Sequence, residues 1–405
     1  MSMMNNVTSF LKIRIKRLSL ILALITLGLV ALGCTGPAWG GWSGFTTDEG
    51  ILYFGTMDGR VMAVNPDARS QKLPFPSENE WAFTIPTTGA PGAVCGPACV
   101  PASTQASIYA TPVVIGDLVC VGVYAGDNGK LVAMDKLDPG YTEGVPLRSK
   151  GEWTYPGVVQ SIGAIVGTPI VVEDTLYVGS SDGKLYVLDA SYGEKKWEFD
   201  TGNKIWTSPA VEDGAIYVSN YDRKLFAVSR TDGSLLWEIE LPTSIASSPV
   251  ISGDIIYFGT FGRNLYAVAI ADGSEKWKFE GDNWFWATPI VKDGVVYAGC
   301  LDHQIYALDA ESGEKLWQFS TDAPIVSTPV LSENLLVVAS ESGTMYILES
   351  DSGDLVRTIS IGYEVMAPLY AEENMVYAHT RNRCVYAVDV QSGDTVWEFC
   401  YSDIE

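Results

Sequence analysis

The stretch Ala307-Leu308-Asp309-Ala310-Glu311-Ser312-Gly313-Glu314-Lys315-Leu316-Trp317 decides the fold. An apolar run ends on Asp, a Ser-Gly pair turns the chain, and a second run ends on Trp. Working outward, the same frame returns at 187–197, 227–237, 267–277 and 387–397. Trp197, Trp237, Trp277, Trp317 and Trp397 therefore keep a 40-residue beat, and Arg357 fills the one missing position. Pro169, Pro209, Pro249, Pro289 and Pro329 repeat at the same interval. Each unit reads as Ser/Thr-Pro, a short apolar strand, an acidic or Gly turn, and a second strand. A polar turn, a third strand, a Ser-Gly turn and a last strand with Trp complete it. Two looser units precede these, one from Ile51 to Trp81 and one from Leu118 to Trp153, which makes eight. Self-similarity at this period signals a repeat architecture. The units lack a 3.6-residue period and are rich in β-branched residues and Gly, so helical repeats are excluded. Four short strands per unit predict an all-β, eight-bladed β-propeller of four-stranded antiparallel blades.

Composition narrows the function. The 405-residue chain carries 26 basic and 49 acidic residues, a net charge of −23. Nucleic-acid binding needs Lys and Arg to displace counterions, so it is not expected. Only His303 and His379 are present, so no multi-histidine metal centre and no bound metal are expected.

The pattern Ala-x-Asp-x-x-x-Gly-x-x-x-Trp, best matched at Ala307/Asp309/Gly313/Trp317 and Ala387/Asp389/Gly393/Trp397, resembles the tryptophan-docking motif of quinoprotein (PQQ-type) propellers. The resemblance spans residues 42–405 and implies a structural role for Trp81, Trp153, Trp197, Trp237, Trp277, Trp317 and Trp397. A large ring fills the wedge between blades, and an Ala opposite leaves room for it. Gly takes the positive-φ turn position and Asp caps the turn. Quinoprotein dehydrogenases share the repeat but stack their quinone under a ring formed by two adjacent cysteines, and no adjacent Cys pair occurs here. A PQQ-dependent dehydrogenase is therefore ranked last, and the expectation is a non-enzyme without cofactor.

The first 33 residues read as a signal peptide. Lys12, Arg14, Lys16 and Arg17 precede an apolar run from Leu18 to Gly33. The run stops at Val30-Ala31-Leu32-Gly33-Cys34, which resembles a bacterial lipobox, so Cys34 is the expected lipidation site and 34–41 a lipidated tether. Several acyl chains anchor stably. Loss of those four basic residues leaves 22 against 49 acidic ones, or −27. The expected location is extracytoplasmic, on the cell membrane or the outer membrane. Lipobox, blade count and compactness together resemble the BamB family of outer-membrane assembly factors. That resemblance implies a non-catalytic, lipid-anchored, monomeric scaffold in the cell envelope, with a β-barrel insertion machine as partner. An alternative reading is a surface lipoprotein that binds polysaccharide or peptide.

Of the seven cysteines, Cys384 and Cys400 flank the last hairpin symmetrically, so a cross-strand disulfide is expected. Cys95 and Cys99 lie in an inserted loop, 82–110, between blades 1 and 2. A disulfide is favoured there over zinc, because no second ligand pair exists. Cys120 and Cys300 fall on different blades and are expected as buried thiols.

Propeller connectivity gathers the turns between second and third strands and the blade-to-blade connections on one face. Phase places Tyr221, Arg223, Phe261, Arg263, Trp284, Trp286, His303, Tyr363, Arg381 and Arg383 there, with Trp206 and Tyr155 close by. The opposite face collects Glu173, Asp174, Glu212, Asp213, Asp254, Asp293, Glu333, Glu372 and Glu373. Aromatic and Arg residues dominate binding hot spots, so the first face is the expected partner-binding surface. Both histidines are expected on loops.

Overall fold

A computed structural model describes residues 43–77, 79–85, 106–126, 128–137, 139, 152–157, 160–212, 214–402 and 404. The signal segment, Cys34, the tether, Cys95 and Cys99 lie outside them.

Among the described residues, thirty-two strands form eight four-stranded antiparallel sheets, each made from consecutive strands. The blades span 45–84, 113–155, 170–200, 210–240, 250–280, 290–320, 330–360 and 370–400. The chain is thus the eight-bladed propeller that the repeat predicts. Every blade is contiguous, so no strand is exchanged to close the ring. The outer strand of blade 1 is Trp81–Thr84, so the start of the expected 82–110 insertion belongs to that blade.

The acidic lower face lies on tight turns. The hairpin joining first and second strands uses positive-φ residues such as Glu173, Asp293, Glu333 and Glu373, several followed by Gly or Asn. Such tight turns match the twist of paired strands but require φ > 0, which favours Gly, Asn and Asp, so Glu173, Glu333 and Glu373 hold it against their own preference.

The core is divided into eight wedges, one between each pair of neighbouring blades. Blades 5 and 6, for example, share Tyr257, Leu265, Trp277, Phe285, Val296 and Tyr306. The docking tryptophans work across these wedges. The Trp277 ring lies over Gly313 of the next blade, where any Cβ would come within 2.6 Å of it. Its Nε1–H donates to the Ala310 carbonyl at 2.9 Å, and the Tyr257 hydroxyl donates to that same carbonyl at 3.0 Å. Trp317 and Tyr297 converge likewise on the Ser350 carbonyl. Ala267 and Ala307 sit opposite Trp277 and Trp317 in register, as the motif implies. In blade 7, Arg357 takes the place of Trp: its side chain covers Gly393 and donates to the Gln391 carbonyl at 3.4 Å.

A second belt runs along the inner strands. The Ser/Thr before four of the five repeated Pro residues accepts a backbone N–H from the preceding blade, as in Thr168 to Ser208 (2.9 Å) and Ser208 to Ser248 (2.9 Å). This gives the Ser/Thr-Pro repeat a physical role, since each hydroxyl satisfies a buried neighbour's amide.

Among the described residues, blades 8 and 1 close the ring through noncovalent contacts. Phe45, Phe54, Tyr377, Trp397 and Tyr401 pack together. Arg60 donates to the carbonyls of Tyr401 (3.0 Å) and Ile404 (2.9 Å). A disulfide joins Cys384 to Cys400, which face each other across the last two strands. His379 is not on a loop as expected. It lies in the strand Met375–Thr380, fully buried at this junction. Its Nδ1 lies 3.2 Å from the Ser43 carbonyl and its Nε2 lies 2.7 Å from the Tyr401 hydroxyl. A carbonyl can only accept, so Nδ1 carries the proton and Tyr401 donates to Nε2. Burial pushes the His379 pKa down to about 4.

Candidate functional site

The upper face is shaped by two loop sets. The turn between second and third strands places Arg223, Arg263, His303 and Arg383 at positive φ. Their carbonyls accept from the residue leaving the outer strand: Leu241 to Arg223 at 2.8 Å, Gly281 to Arg263 at 2.9 Å, and Thr321 to His303 at 2.8 Å. The blades-to-blade connections are tied down as well. Tyr221 N–H donates to the Lys204 carbonyl (2.8 Å), Phe261 N–H to Ser244 (3.0 Å) and Leu301 N–H to Trp284 (3.0 Å). The face is thus presented on braced loops rather than on free ones.

On this scaffold the aromatic residues of blades 3 to 6 join into one ribbon. Trp206 and Tyr221 have ring centroids 5.2 Å apart, and Tyr221 and Phe261 are 6.5 Å apart. Phe261 meets Trp284 at 5.1 Å, edge to face, and Trp286 at 5.5 Å. Edge-to-face pairs of this kind contribute about 0.5–1.5 kcal/mol each beyond simple burial. Yet Trp206, Tyr221 and Trp284 remain 44%, 47% and 41% exposed. Trp286 is half-buried against Phe261. Trp284 does not pack under its own loop. Trp206 is fixed by an Nε1–H bond to the Ser181 hydroxyl at 3.0 Å, with the Lys204 ammonium 5.8 Å from its ring.

The arginines of the face are each already engaged. Arg223 pairs with Glu240 at 2.6 Å, Arg263 with Glu280 at 3.2 Å, Arg381 with Glu364 at 2.6 Å and Arg383 with Asp58 at 3.7 Å. Exposed pairs of this kind contribute little, about 0–1 kcal/mol. They do cancel the positive charge that the sequence alone suggests. His303 is exposed on its turn. Tyr363, Arg381 and Asn382 stand apart from the ribbon, around a separate cavity between blades 7 and 8.

Sequence reasoning missed the carboxylate partners, although Arg223–Glu240 and Arg263–Glu280 share one separation of 17 residues that strand register could have revealed. It also missed Asp322, which accepts from the hydroxyls of Ser340 (2.7 Å), Ser342 (2.7 Å) and Thr344 (2.9 Å). Burial opposes its ionisation, but these hydroxyls prevail and hold its pKa down to about 2. Among the described residues, Cys384, Glu398 and Cys400 form the one close group of metal-ligand types, and both sulfurs are committed to the disulfide. Cys120 and Cys300 are buried free thiols, and burial pushes the Cys300 thiol up to about 12.

Comparison with known proteins fits this architecture. No curated protein sequence matches the chain. Among solved structures, BamB from Moraxella catarrhalis superposes with a TM-score of 0.61 at 16% identity, covering 83% of this chain and 90% of that one. The computationally designed protein Ika8 superposes with a TM-score of 0.62 at 16% identity, covering 84% and 94%. At such identities the likeness is one of fold. A family model described as "Beta-alanine-activating enzyme, beta-propeller" matches residues 165–404, from the approach to blade 3 through blade 8. With more than half of its length matched there, the chain belongs to that β-propeller family.

Proposed function

We propose that this protein is a non-catalytic scaffold of the cell envelope, held to the membrane by lipid on Cys34, that docks a protein partner on its upper face. The observation that carries the reading is the exposed aromatic ribbon from Trp206 through Tyr221 and Phe261 to Trp284. Rigid aromatic surface of this kind supplies contact area at low entropic cost and is enriched at interface hot spots. Braced loops lower the ordering cost of binding. The fold likeness to BamB supports outer-membrane protein assembly as the process served. Support for the non-catalytic part comes from the nucleophile and base candidates: His379 is locked neutral in the ring junction, and the Cys120 and Cys300 thiols are buried.

The test is affinity capture of the full chain from solubilised envelopes, followed by identification of co-purifying proteins. A Trp206→Ala, Phe261→Ala, Trp284→Ala triple variant is expected to lose the specific partner. A Arg223→Glu, Arg263→Glu variant should have the smaller effect, because those charges are already paired with Glu240 and Glu280. Undiminished capture by the triple variant would remove the reading.

A further inference from the structure

A shallow, solvent-open cavity of about 590 Å³ lies on the upper face between blades 7 and 8, away from the aromatic ribbon. It is lined by Glu341, Ser342, Tyr363, Glu364, Arg381 and Asn382, among others. Small-molecule sites commonly fall at about 300–1,000 Å³. The Tyr363 ring is 49% exposed on its wall. Its backbone is fixed by a close approach: a Cβ on Gly343 would lie 2.2 Å from the Tyr363 carbonyl oxygen. The opposite wall is fixed too, by the Arg381 N–H bond to the Glu364 carbonyl at 3.0 Å.

The chemistry of the lining selects a ligand class. Arg381 and Glu364 are paired at 2.6 Å, so the mouth presents guanidinium donors beside carboxylate acceptors. Glu341 adds a second carboxylate, which leaves the lining with one excess negative charge. Anions are therefore disfavoured, while Arg381 disfavours a bare metal cation. Ser342 donates to Asp322 at 2.7 Å and keeps lone pairs to accept with. Asn382 is oriented by the Thr380 hydroxyl and bonds the Tyr386 hydroxyl at 3.4 Å. Adjacent donors and acceptors match vicinal hydroxyls, and an exposed aromatic ring matches the C–H face of a pyranose. We propose that this cavity binds a neutral saccharide, with Tyr363 packing on a sugar face and Arg381, Glu364 and Asn382 hydrogen-bonding its hydroxyls. This site is independent of the protein-docking reading, since it shares no residue with the ribbon.

The test is calorimetric titration of the full chain with maltotetraose, cellotetraose and chitotetraose in its N-acetylated form, with trigalacturonate as the anionic probe. At least one neutral probe is expected to bind saturably, and trigalacturonate is not. Tyr363→Ala and Arg381→Ala should each weaken that binding about tenfold or more, while Trp206→Ala should bind as the parent does. Unchanged thermal unfolding would show that Tyr363→Ala, a surface change, remains folded. The proposal is overturned if no neutral probe saturates, if Tyr363→Ala binds as the parent, if Trp206→Ala is the variant that fails, or if trigalacturonate binds more tightly than the neutral sugars.

Discussion

Lowering the pH should loosen the ring at the junction of blades 8 and 1, and His379 should account for a definable part of that loss. The imidazole is buried, its Nδ1–H is given to the Ser43 carbonyl, and its Nε2 accepts from Tyr401. Protonation would put a second donor where Tyr401 already donates, in a buried site. The folded pKa is about 4 against an ordinary value of 6.5. A depressed folded pKa means the unfolded chain takes up the proton first. The contribution is therefore intact above pH 6.5 and is lost as pH falls toward 4. Over the whole window the loss is about 3 kcal/mol, most of it gone by pH 4.5. Many carboxylates titrate in the same range, so the informative quantity is a difference. Urea unfolding at pH 7.5 and 4.5 is measured for the parent and for His379→Phe. The variant should be weaker at pH 7.5, because Ser43 and Tyr401 lose their partner, at about 1–3 kcal/mol. It should also lose about 2–3 kcal/mol less than the parent on acidification. Equal losses in both proteins would refute the reasoning.

Other consequences follow from the wedge packing. Trp277→Ala removes a buried ring and its bond to Ala310 and should cost about 3–5 kcal/mol in denaturant unfolding. Gly313→Ala should fail for a related reason, since φ is +74° and the new methyl would press on Trp277; about 1–3 kcal/mol of destabilisation is expected, read as a lower melting temperature. Arg357→Trp restores the repeat over Gly393 and should raise stability by about 1 kcal/mol. Replacing Cys384 and Cys400 together by Ser opens a link with a sequence separation of 16 and should cost about 3 kcal/mol in non-reducing urea titrations, with no difference from the parent under reduction.

Much of the architecture was legible because a propeller blade repeats its chemistry at a fixed interval. The 40-residue recurrence of Trp and Pro was enough to place strands, turns and the blade count. Symmetry of Cys384 and Cys400 about the last hairpin located facing positions, since they share the register that sets Ala387 opposite Trp397. What escaped was the detail of the contacts between blades. That Trp277 covers Gly313 of the next blade, and not its own turn, requires the ring to be built. His379 looked like a loop residue, yet it holds the Gly position of the Tyr-x-Gly repeat, the place where Gly259 and Gly299 end their second strands, and so it lies in the strand Met375–Thr380 within the core. The arginines looked like free charge because their carboxylate partners arrive from a different strand or blade. The aromatic residues of the ribbon were individually visible; their continuity across four blades was not.

The docking claim is tested most directly by photo-crosslinking in intact cells, with a photoreactive residue placed once at position 261 in the ribbon and once at Tyr192, 73% exposed on the opposite face. A discrete protein adduct from position 261, and none from 192, is the predicted result. Adducts of the same partner from position 192 alone would contradict it.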